Sequence, residues 1–241
     1  MVNWTDEQRK SPLYKYYEKE ISPVPPELFQ QIMTGTFDDS EVLLFEEKDR
    51  LFDDGYLPGE FGVFRLPGGG YSVANKTDMP GVTPEMFDWW FAWHGLDPMR
   101  YTIWDKEDHY YCKTRNPEIA RNEKLSMKER YWHTTHDVKE SMMEGAPVAE
   151  LVLHFLPPEE MGFDKEKLAA FDGTIVCTPG MVHFLRPTEQ GSELRTRFWF
   201  DNPDIPFDET AARALLVHNV KEYTHLAKIL PELYAEFKDQ F

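Results

Sequence analysis

The segment at residues 88–112 restricts the fold more than any other part of the chain, because it is unusually aromatic. It contains five tryptophan or phenylalanine residues, three tyrosines and two histidines. Side chains of this size must be mostly buried, and the N–H and O–H groups of tryptophan and tyrosine then need hydrogen-bond partners. The segment therefore predicts either a dense core or an aromatic pocket with polar ends. His94 and His109 are the reason to consider the pocket.

The charge and the hydropathy of the chain restrict its partners. The net charge of −17 at pH 7 disfavours nucleic acid and anionic membrane surfaces, because binding to either depends on Lys and Arg side chains. The chain has no apolar run of about 18 residues that could cross a bilayer, and its first residues lack the apolar core of a signal peptide. We therefore predict a cytoplasmic protein that binds a small molecule, with no nucleic acid and no membrane as partner.

The length and the cysteine content favour a globular protein without disulfide bonds. With 241 residues, 41% of them hydrophobic, the chain can bury the core of one large domain, with or without a small appendage. Its two cysteines, Cys112 and Cys177, show no CxxC spacing and cannot provide a disulfide framework. We expect both to be buried free thiols.

The N-terminal segment is predicted to be charged and mainly helical. Its clearest helix begins at Pro26, because proline is favoured in the first turn of a helix. The apolar side chains of Leu28, Phe29, Ile32 and Met33 then follow at helical spacing. They either cover the core of the main domain or form a contact with a second subunit.

Glycine and proline positions predict a hairpin and then a helix. Glycine-rich breaks between short apolar runs at residues 56–73 are typical of hairpins. The glycine triplet at residues 68–70 is not followed by the Lys-Ser/Thr of a phosphate-binding loop, so a nucleotide site is disfavoured. Thr83 as N-cap and Pro84 in the first turn predict a helix over residues 84–94. Residues 100–111 are predicted to be extended or loop.

The remaining chain predicts further strands and one long helix. Alternation of polar and apolar residues indicates antiparallel strands at residues 131–143, 148–156, 173–177, 181–186 and 193–200. A long helix follows at residues 208–237, with Pro231 expected to kink or interrupt it. Because strands and helices are segregated, the predicted fold class is α+β. An antiparallel sheet curled around the long C-terminal helix would enclose a pocket.

Two polar residues on the apolar stripe of the long helix are candidate metal ligands. His218 and Glu222 lie about 40° apart around the helix axis, so their side chains reach the same point. Imidazole and carboxylate together suit a metal ion. A hydrogen-bonded or surface pair is the commoner origin of this spacing, and the pattern alone does not decide between the two.

Further candidate ligands come from the predicted sheet. Glu140 shares one strand face with apolar Val138, where an unpaired carboxylate would be costly to bury. His109 lies near the end of the aromatic segment. Each of these residues alone is more often hydrogen-bonded or solvated. Added to the pair on the long helix, however, His109 and Glu140 would complete a mixed nitrogen and oxygen site for zinc or a related divalent ion. His94 is instead predicted to cap the last carbonyls of its helix.

These residues follow one another in a characteristic order. It consists of Phe-Asp-Trp-Trp-Phe-Ala-Trp-His at residues 87–94, Arg-Tyr-x-x-Trp at 100–104, His109, Glu140 and His-x-x-x-Glu at 218–222. The order resembles that of the 2,4-diacetylphloroglucinol hydrolase and phloretin hydrolase family, which hydrolyses the carbon–carbon bond between an acyl group and a polyhydroxylated aromatic ring. The resemblance implies a helix-grip, Bet v 1-like catalytic domain at residues 55–241. It also implies a small, mainly helical portion at residues 1–54 that is used in dimerisation, and hence a homodimer.

The resemblance further implies roles for individual residues. The implied ligands of a zinc ion are His109, Glu140, His218 and Glu222. The implied catalytic residues are Tyr101, Glu140 and His183, of which His183 would move protons. The implied substrate-binding residues are Trp93, Tyr101, Cys112 and Phe198, of which Tyr101 would hydrogen-bond a ring hydroxyl.

Two departures from the family pattern bear on the substrate. Cys112 stands where the diacetylphloroglucinol enzymes have an asparagine for a ring hydroxyl, and the run at residues 197–200 has no tyrosine for another. A pocket with fewer hydroxyl donors suits a second aryl ring, so we expect a zinc-dependent hydrolase of phloretin or a related dihydrochalcone. The alternatives are hydrolysis of 2,4-diacetylphloroglucinol, metal-dependent hydrolysis of esters or lactones, and a helix-grip module that binds an apolar aromatic ligand without turnover.

Overall fold

The computed structural model describes residues 2–202, 204 and 208–241, and in this part of the chain helices and antiparallel strands form an α+β fold. The strands are Gly62–Arg65 (β1), Tyr71–Pro80 (β2), His109–Thr114 (β3), Thr135–Glu140 (β4), Ala149–His154 (β5), Thr174–Thr178 (β6), Met181–Thr188 (β7) and Gly191–Phe200 (β8). The α-helices are Tyr14–Glu18 (α1), Pro26–Thr34 (α2), Pro84–Trp93 (α3), Pro98–Thr102 (α4), Pro117–Ala120 (α5), Lys165–Ala170 (α6) and Glu209–Phe237 (α7). Short 3₁₀ segments occur at Gln8–Lys10, Asp39–Glu41, Phe45–Phe52 and His94–Leu96.

The strands form two antiparallel sheets that are linked at one point. The larger sheet has the order β1-β2-β8-β7-β6, and the smaller sheet has the order β3-β4-β5. An isolated bridge between Leu156, just after β5, and Cys177 on β6 links them. The predicted strands are confirmed, although they are shorter or longer by a few residues at their ends.

The long C-terminal helix contacts both sheets. Its His218 reaches a histidine on β3 and its Tyr223 reaches a histidine on β7. The helix begins as predicted, because the Asp208 side chain accepts a hydrogen bond from the Ala211 amide. It passes through Pro231 without interruption, since burial of apolar side chains beyond the proline keeps the last turns packed. The prediction that Pro231 interrupts the helix is therefore wrong, and the alternative of a kink stays a prediction.

The predicted hairpin is formed by β1 and β2, and its turn explains one of the glycines. A Cβ atom at Gly70 would lie 1.9 Å from the Phe200 carbonyl oxygen, and the φ angle of Gly70 is 75°. Only glycine adopts this conformation without strain and allows so close an approach. The glycine triplet therefore serves the hairpin and its contact with β8.

Helix α3 begins at its predicted N-cap, where the Thr83 hydroxyl accepts a hydrogen bond from the Met86 amide. The prediction that residues 100–111 are extended or loop is wrong for the first part of that segment. Helix α4 occupies it, because Asp97 accepts a hydrogen bond from the Met99 amide and Pro98 stands in the first turn. These are ordinary signals for the start of a helix, and they outweigh the aromatic composition of the segment.

The N-terminal segment packs against the rest of the chain. Ile32 of α2 is fully buried against Leu216 and Val63, while Phe29 on the same helix is 40% exposed. Trp4 and Tyr16 belong to the core cluster that also contains residues of α3 and α7. At least part of the apolar surface of α2 therefore covers the core of the main domain.

A buried ionic cluster joins the loop before β1 to β8. Arg195 and Arg197 lie on one face of the strand, and both guanidinium groups contact the Glu60 carboxylate, with Arg197 Nη2 at 2.6 Å from Oε2. Burial raises the pKa of Glu60, but the two arginines outweigh this effect and lower the pKa to about 2. Glu60 thus balances two charges that are fully buried.

We predict that Glu60→Gln lowers the free energy of unfolding by about 3 kcal/mol or more at neutral pH, because it leaves two buried guanidinium groups without a carboxylate. Since the folded-state pKa of Glu60 lies below its ordinary value of 4.5, its contribution is complete above that pH and is lost as the pH falls through about 2. Urea unfolding at several pH values measures both effects.

The matched control is Glu47→Gln, because Glu47 forms an ion pair with Arg50 in which both side chains are more than 40% exposed. We expect a change within about 0.5 kcal/mol for this exposed pair. Equal stability of the two variants would contradict the importance of the Glu60 cluster.

Candidate metal centre and active site

A cavity of about 70 Å³ lies between α7, the two sheets and the end of α3. Much of its wall is aromatic or aliphatic, including Phe91, Trp104, Phe155 and Phe198. Its polar wall includes Tyr101, Glu140, His183, His218, Glu222 and Tyr223. The aromatic segment of the sequence therefore supplies both core and cavity wall.

The sheet contributes His109 and Glu140 to one point of this region. The two residues are paired across β3 and β4, so their side chains leave the sheet on the same face. His109 Nδ1 lies 3.3 Å from the Tyr101 carbonyl oxygen, and a proton on Nδ1 would leave the lone pair of Nε2 directed into the site. The Tyr101 ring stacks on the His109 ring at a centroid distance of 4.0 Å, which fixes the imidazole plane.

Helix α7 brings His218 and Glu222 to the same point. The Nε2 atoms of His109 and His218 are 3.4 Å apart, and Glu222 Oε2 lies 3.6 Å from His109 Nε2. Glu140 Oε2 lies 4.0 Å from His109 Nε2. The structure thus brings together all four residues that the sequence analysis predicts as metal ligands.

The charges of these four residues favour a cation between them. Burial raises the pKa of Glu222 to about 8, and the neighbouring Glu140 adds to the rise, although His218 opposes it. Burial lowers the pKa of His218, but the carboxylates of Glu222 and Asp108 outweigh it and raise the pKa to about 9. Two carboxylates that face two imidazoles without bulk water are costly unless positive charge compensates them.

The donor set fits zinc or a related divalent ion. Two imidazole nitrogens and two carboxylate oxygens are ligands that zinc takes in proteins, and they converge from three elements of the fold. His109, Glu140 and His218 offer donor atoms within 4.8 Å of one another. Asn219 Nδ2 also donates to Glu222 Oε1 at 3.1 Å, which orients that carboxylate.

Asp108 lies behind His218 and orients it. Asp108 Oδ2 lies 3.6 Å from His218 Nδ1, and the carboxylate also contacts the Lys221 ammonium and accepts a hydrogen bond from Ser141 Oγ at 3.0 Å. Burial raises the pKa of Asp108, but its contacts with His218 and Lys221 lower it below the usual range. A charged carboxylate behind a histidine ligand fixes the ring orientation and raises its basicity.

A second polar group of the cavity is built around His183. Its Nδ1 atom lies 2.9 Å from Thr196 Oγ1, and its Nε2 atom lies 2.8 Å from the Tyr223 hydroxyl. Burial lowers the pKa of His183 to about 3, so the ring is neutral at physiological pH. Both ring nitrogens therefore have partners, and Tyr223 stands between His183 and part of the cavity.

The residues predicted to bind substrate do not all reach the cavity. Phe198 and Tyr101 line it, and the Tyr101 hydroxyl donates to the Glu140 carboxylate. Trp93 lies instead in the core, where its ring stacks on Trp89 and its Nε1 donates to the Gln240 carbonyl. The helical period explains this correction, because Phe91 and the neighbouring His94 turn toward the cavity while Trp93 turns away.

Cys112 also lies outside the cavity wall. Its side chain is fully buried, and its Sγ atom lies 3.6 Å from His136 Nδ1. Cys112 is therefore not among the residues that line the cavity, and its contact with substrate stays a prediction. Both cysteines are buried free thiols, as predicted.

His94 and His225 each have a hydrogen-bond partner on Nδ1. His94 Nδ1 lies 2.9 Å from the Trp90 carbonyl oxygen, which is the predicted capping contact, and its ring also lines the cavity. His225, one turn beyond Glu222, accepts a hydrogen bond from the Ser22 amide and takes no part in the four-residue cluster.

Tyr223, Thr196 and Asp108 are functional candidates that the sequence did not predict. Tyr223 follows Glu222 directly, but it lies off the helix stripe that contains His218 and Glu222. A tyrosine on a buried helix face needs a hydrogen-bond partner, and that need was the available signal. The pairing of Thr196 with His183 across β7 and β8 depends on strand register, which the sequence does not reveal.

The family model described as the DAPG hydrolase PhiG domain matches residues 43–235. The chain belongs to this family. It is similar to a phloretin hydrolase of Eubacterium ramulus, with 33% identity over 100% of this chain and 95% of the relative. It is 28% identical to 2,4-diacetylphloroglucinol hydrolases of Pseudomonas protegens and of a Pseudomonas species, with 95% of this chain covered and 85% and 89% of theirs.

Membership of the DAPG hydrolase family confirms the predicted family and the prediction of an enzyme that hydrolyses carbon–carbon bonds. In the part of the chain that the structure describes, we find no helix with the length and apolar content needed to cross a membrane.

We predict that Asp108→Asn weakens zinc binding about 10- to 100-fold, because His218 loses the charged partner that orients its ring. Competition with a chromophoric chelator measures the affinity. The neighbouring Glu107→Gln is the control, since Glu107 is exposed and contacts only Lys221 of this group. Equal affinities of the two variants would show that Asp108 does not position His218.

Proposed function

We propose that this protein hydrolyses the bond between the carbonyl carbon and the phloroglucinol ring of phloretin or a related dihydrochalcone, releasing phloroglucinol and phloretic acid from phloretin. The observation that carries the proposal is the convergence of two imidazoles and two carboxylates beside an aromatic cavity, which Glu140, His218 and Glu222 line. The similarity to a phloretin hydrolase over the whole chain supports the choice of substrate. A 2,4-diacetylphloroglucinol hydrolase is the second candidate, because relatives with that name match at 28% identity.

The cavity wall favours a substrate with a second aryl ring. Beyond the polar groups, the cavity is lined by Phe198, Met181, Leu153 and Leu215, which offer apolar contact and no hydrogen bonds from their side chains. The volume of about 70 Å³ is smaller than the roughly 300–1,000 Å³ of typical ligand pockets. The flexible Met181 and Leu215 side chains must therefore move when a dihydrochalcone binds.

Zinc is the proposed metal, and His109, Glu140, His218 and Glu222 would hold it. When bound, it would supply a Lewis acid that polarises a carbonyl or a water molecule. The carboxylates of Glu140 and Glu222 also place negative charge beside the reacting centre. The Tyr101 hydroxyl, held by Glu140, is a hydrogen-bond donor positioned beside these carboxylates and could turn toward a ring hydroxyl of the substrate.

His183 and Tyr223 form the proposed path of the proton. The ring carbon that carries the acyl group must gain a proton before the bond breaks, and a water molecule must add to the carbonyl carbon. If Thr196 donates to His183 Nδ1, the Nε2 proton of His183 faces Tyr223, and the Tyr223 hydroxyl proton is free to face the cavity. Because both nitrogens of His183 are occupied, Tyr223 is the group that donates the proton to the ring carbon, and the proton released by the attacking water returns to the Tyr223 oxygen.

The fold and the assembly belong to the same proposal. We propose that residues 55–241 form a helix-grip, Bet v 1-like domain, and the contacts of α7 with both sheets support this proposal. We propose that residues 1–54 contribute to a homodimer, for which the exposed Phe29 on α2 is a candidate contact. A cytoplasmic location stays a prediction.

We predict that the purified protein contains about one zinc ion per chain and releases phloroglucinol from phloretin. Chelation abolishes the release, and added zinc restores it. Glu222→Gln loses most of the bound zinc and the activity, because it removes an anionic ligand. Metal analysis and chromatographic detection of phloroglucinol provide the two readouts.

The control variant is Glu232→Gln, which removes an exposed carboxylate on the same helix that contacts Lys19. It is expected to keep zinc and activity. Metal-free protein that binds phloretin without cleaving it would contradict the proposal and support a binding module. Cleavage of 2,4-diacetylphloroglucinol in preference to phloretin would support the second candidate.

We predict that Tyr223→Phe lowers kcat for phloretin about 10²- to 10⁴-fold, the usual contribution of a general acid, and leaves the zinc content unchanged. Steady-state kinetics and metal analysis measure the two effects. Tyr234→Phe on the same helix is the control, because its hydroxyl contacts Glu85 at the surface. Wild-type kcat in Tyr223→Phe would exclude the proposed path of the proton.

A further inference from the structure

A second cluster of potential metal ligands lies beside the cavity. It consists of His94 at the end of α3, Cys112 on β3 and His136 on β4, and all three side chains are buried. One ring nitrogen of each histidine and the Cys112 sulfur lie within 4.8 Å of one another. None of the three belongs to the four-residue centre proposed for zinc.

The hydrogen bonds around the cluster leave lone pairs available for a ligand. His94 Nδ1 faces the Trp90 carbonyl, so it carries the proton and Nε2 is unprotonated. Thr134 Oγ1 donates to the Tyr131 carbonyl at 2.6 Å and therefore accepts from His136 Nε2 at 3.4 Å. His136 Nδ1 is then also unprotonated, and this is the atom that lies 3.6 Å from Cys112 Sγ.

The backbone at Gly95 accommodates the His136 ring. A Cβ atom at this position would lie 2.4 Å from Cε1 and 2.9 Å from Nδ1 of His136. Any larger residue at position 95 would displace the imidazole from Cys112. The close contact with Gly95 therefore keeps His136 Nδ1 where it can bind a cation together with the Cys112 sulfur.

We propose that His94, Cys112 and His136 form a separate binding site for a thiophilic cation, Cu⁺ or Zn²⁺. The distance of 3.6 Å between Cys112 Sγ and His136 Nδ1 is close to the separation of about 3.5 Å expected across a tetrahedral ion with metal–sulfur and metal–nitrogen bonds of about 2.3 and 2.0 Å. A simple S–H···N hydrogen bond would also explain this pair, but the capping contact of His94 Nδ1 leaves His94 Nε2 as a third donor beside it. Because His94 also lines the cavity, an ion could enter from there.

The charge balance of the cluster favours Cu⁺. Two neutral imidazoles and one thiolate neutralise a monovalent ion, whereas a divalent ion keeps one positive charge in a buried place. When the cation binds, the sulfur–metal bond replaces the S–H bond and the thiol proton is released to solvent. Burial lowers the pKa of His94 to about 4 and that of His136 well below its usual value, so protons do not compete for the two nitrogens at neutral pH.

The test uses the whole protein with zinc already bound at the four-residue centre. Cu⁺ is titrated in competition with a chromophoric chelator, and Co²⁺ is titrated separately as a probe for divalent ions. We expect one additional Cu⁺ per chain and a Cu⁺–thiolate absorption in the near ultraviolet, which the sulfur-free zinc centre cannot produce. Binding with a Co²⁺–thiolate band but without Cu⁺ preference would assign the site to Zn²⁺.

Cys112→Ser is expected to weaken the additional binding about 100-fold or more and to remove the thiolate absorption. Cys177→Ser is the matched control, because Cys177 is an equally buried thiol on β6 that the cluster does not include. His136→Gln tests the site without altering the thiol, and a thermal melt of each variant checks that it folds. Wild-type protein without a thiolate band, or binding that survives Cys112→Ser, would overturn the proposal.

Discussion

The rest of the site depends on the burial of His218 and Glu222 of the long helix against His109 and Glu140 of the small sheet. Each carboxylate would be unfavourable in this place without positive charge or hydrogen bonds around it. The structure provides these through Asn219, which binds Glu222. Asp108 and Lys221 extend the network behind His218 to the surface. The same contacts that lower the cost of burying the carboxylates also orient them, so the stability of the site and the proposed metal binding depend on one network.

The long helix carries both halves of the proposed chemistry on different faces. His218 and Glu222 point toward the small sheet, while Tyr223, one residue further, points toward His183 on the large sheet. One helix therefore fixes the distance between the proposed metal ligands and the proposed proton donor. A shift of α7 along its axis would move His218, Glu222 and Tyr223 together. A rotation of α7 about its axis would move the His218 and Glu222 side chains and the Tyr223 side chain away from their partners in opposite directions.

Local rules predicted much of this arrangement from the sequence. Caps at Thr83 and Asp208 and the helical spacing of His218 and Glu222 are local signals, and the structure bears them out. The correct face of Trp93 and the division into two sheets depend on long-range packing, which local spacing does not determine. The contacts of His183 with Thr196 and Tyr223 could not be predicted for the same reason, because they depend on both the strand register and the position of the helix.

The burial of polar groups in and around the cavity connects these observations to reactivity. His183, Glu222 and Tyr101 all have pKa values shifted by burial toward the neutral form. A neutral His183 that donates its Nε2 proton in a hydrogen bond to the Tyr223 oxygen would stabilise the phenolate formed when Tyr223 protonates the ring carbon, and the proton released by the attacking water would restore Tyr223. The proposed hydrolysis needs one water molecule, so the cavity must admit it together with the substrate. Because the cavity has a volume of only about 70 Å³, side chains of its wall must move when a dihydrochalcone and this water bind.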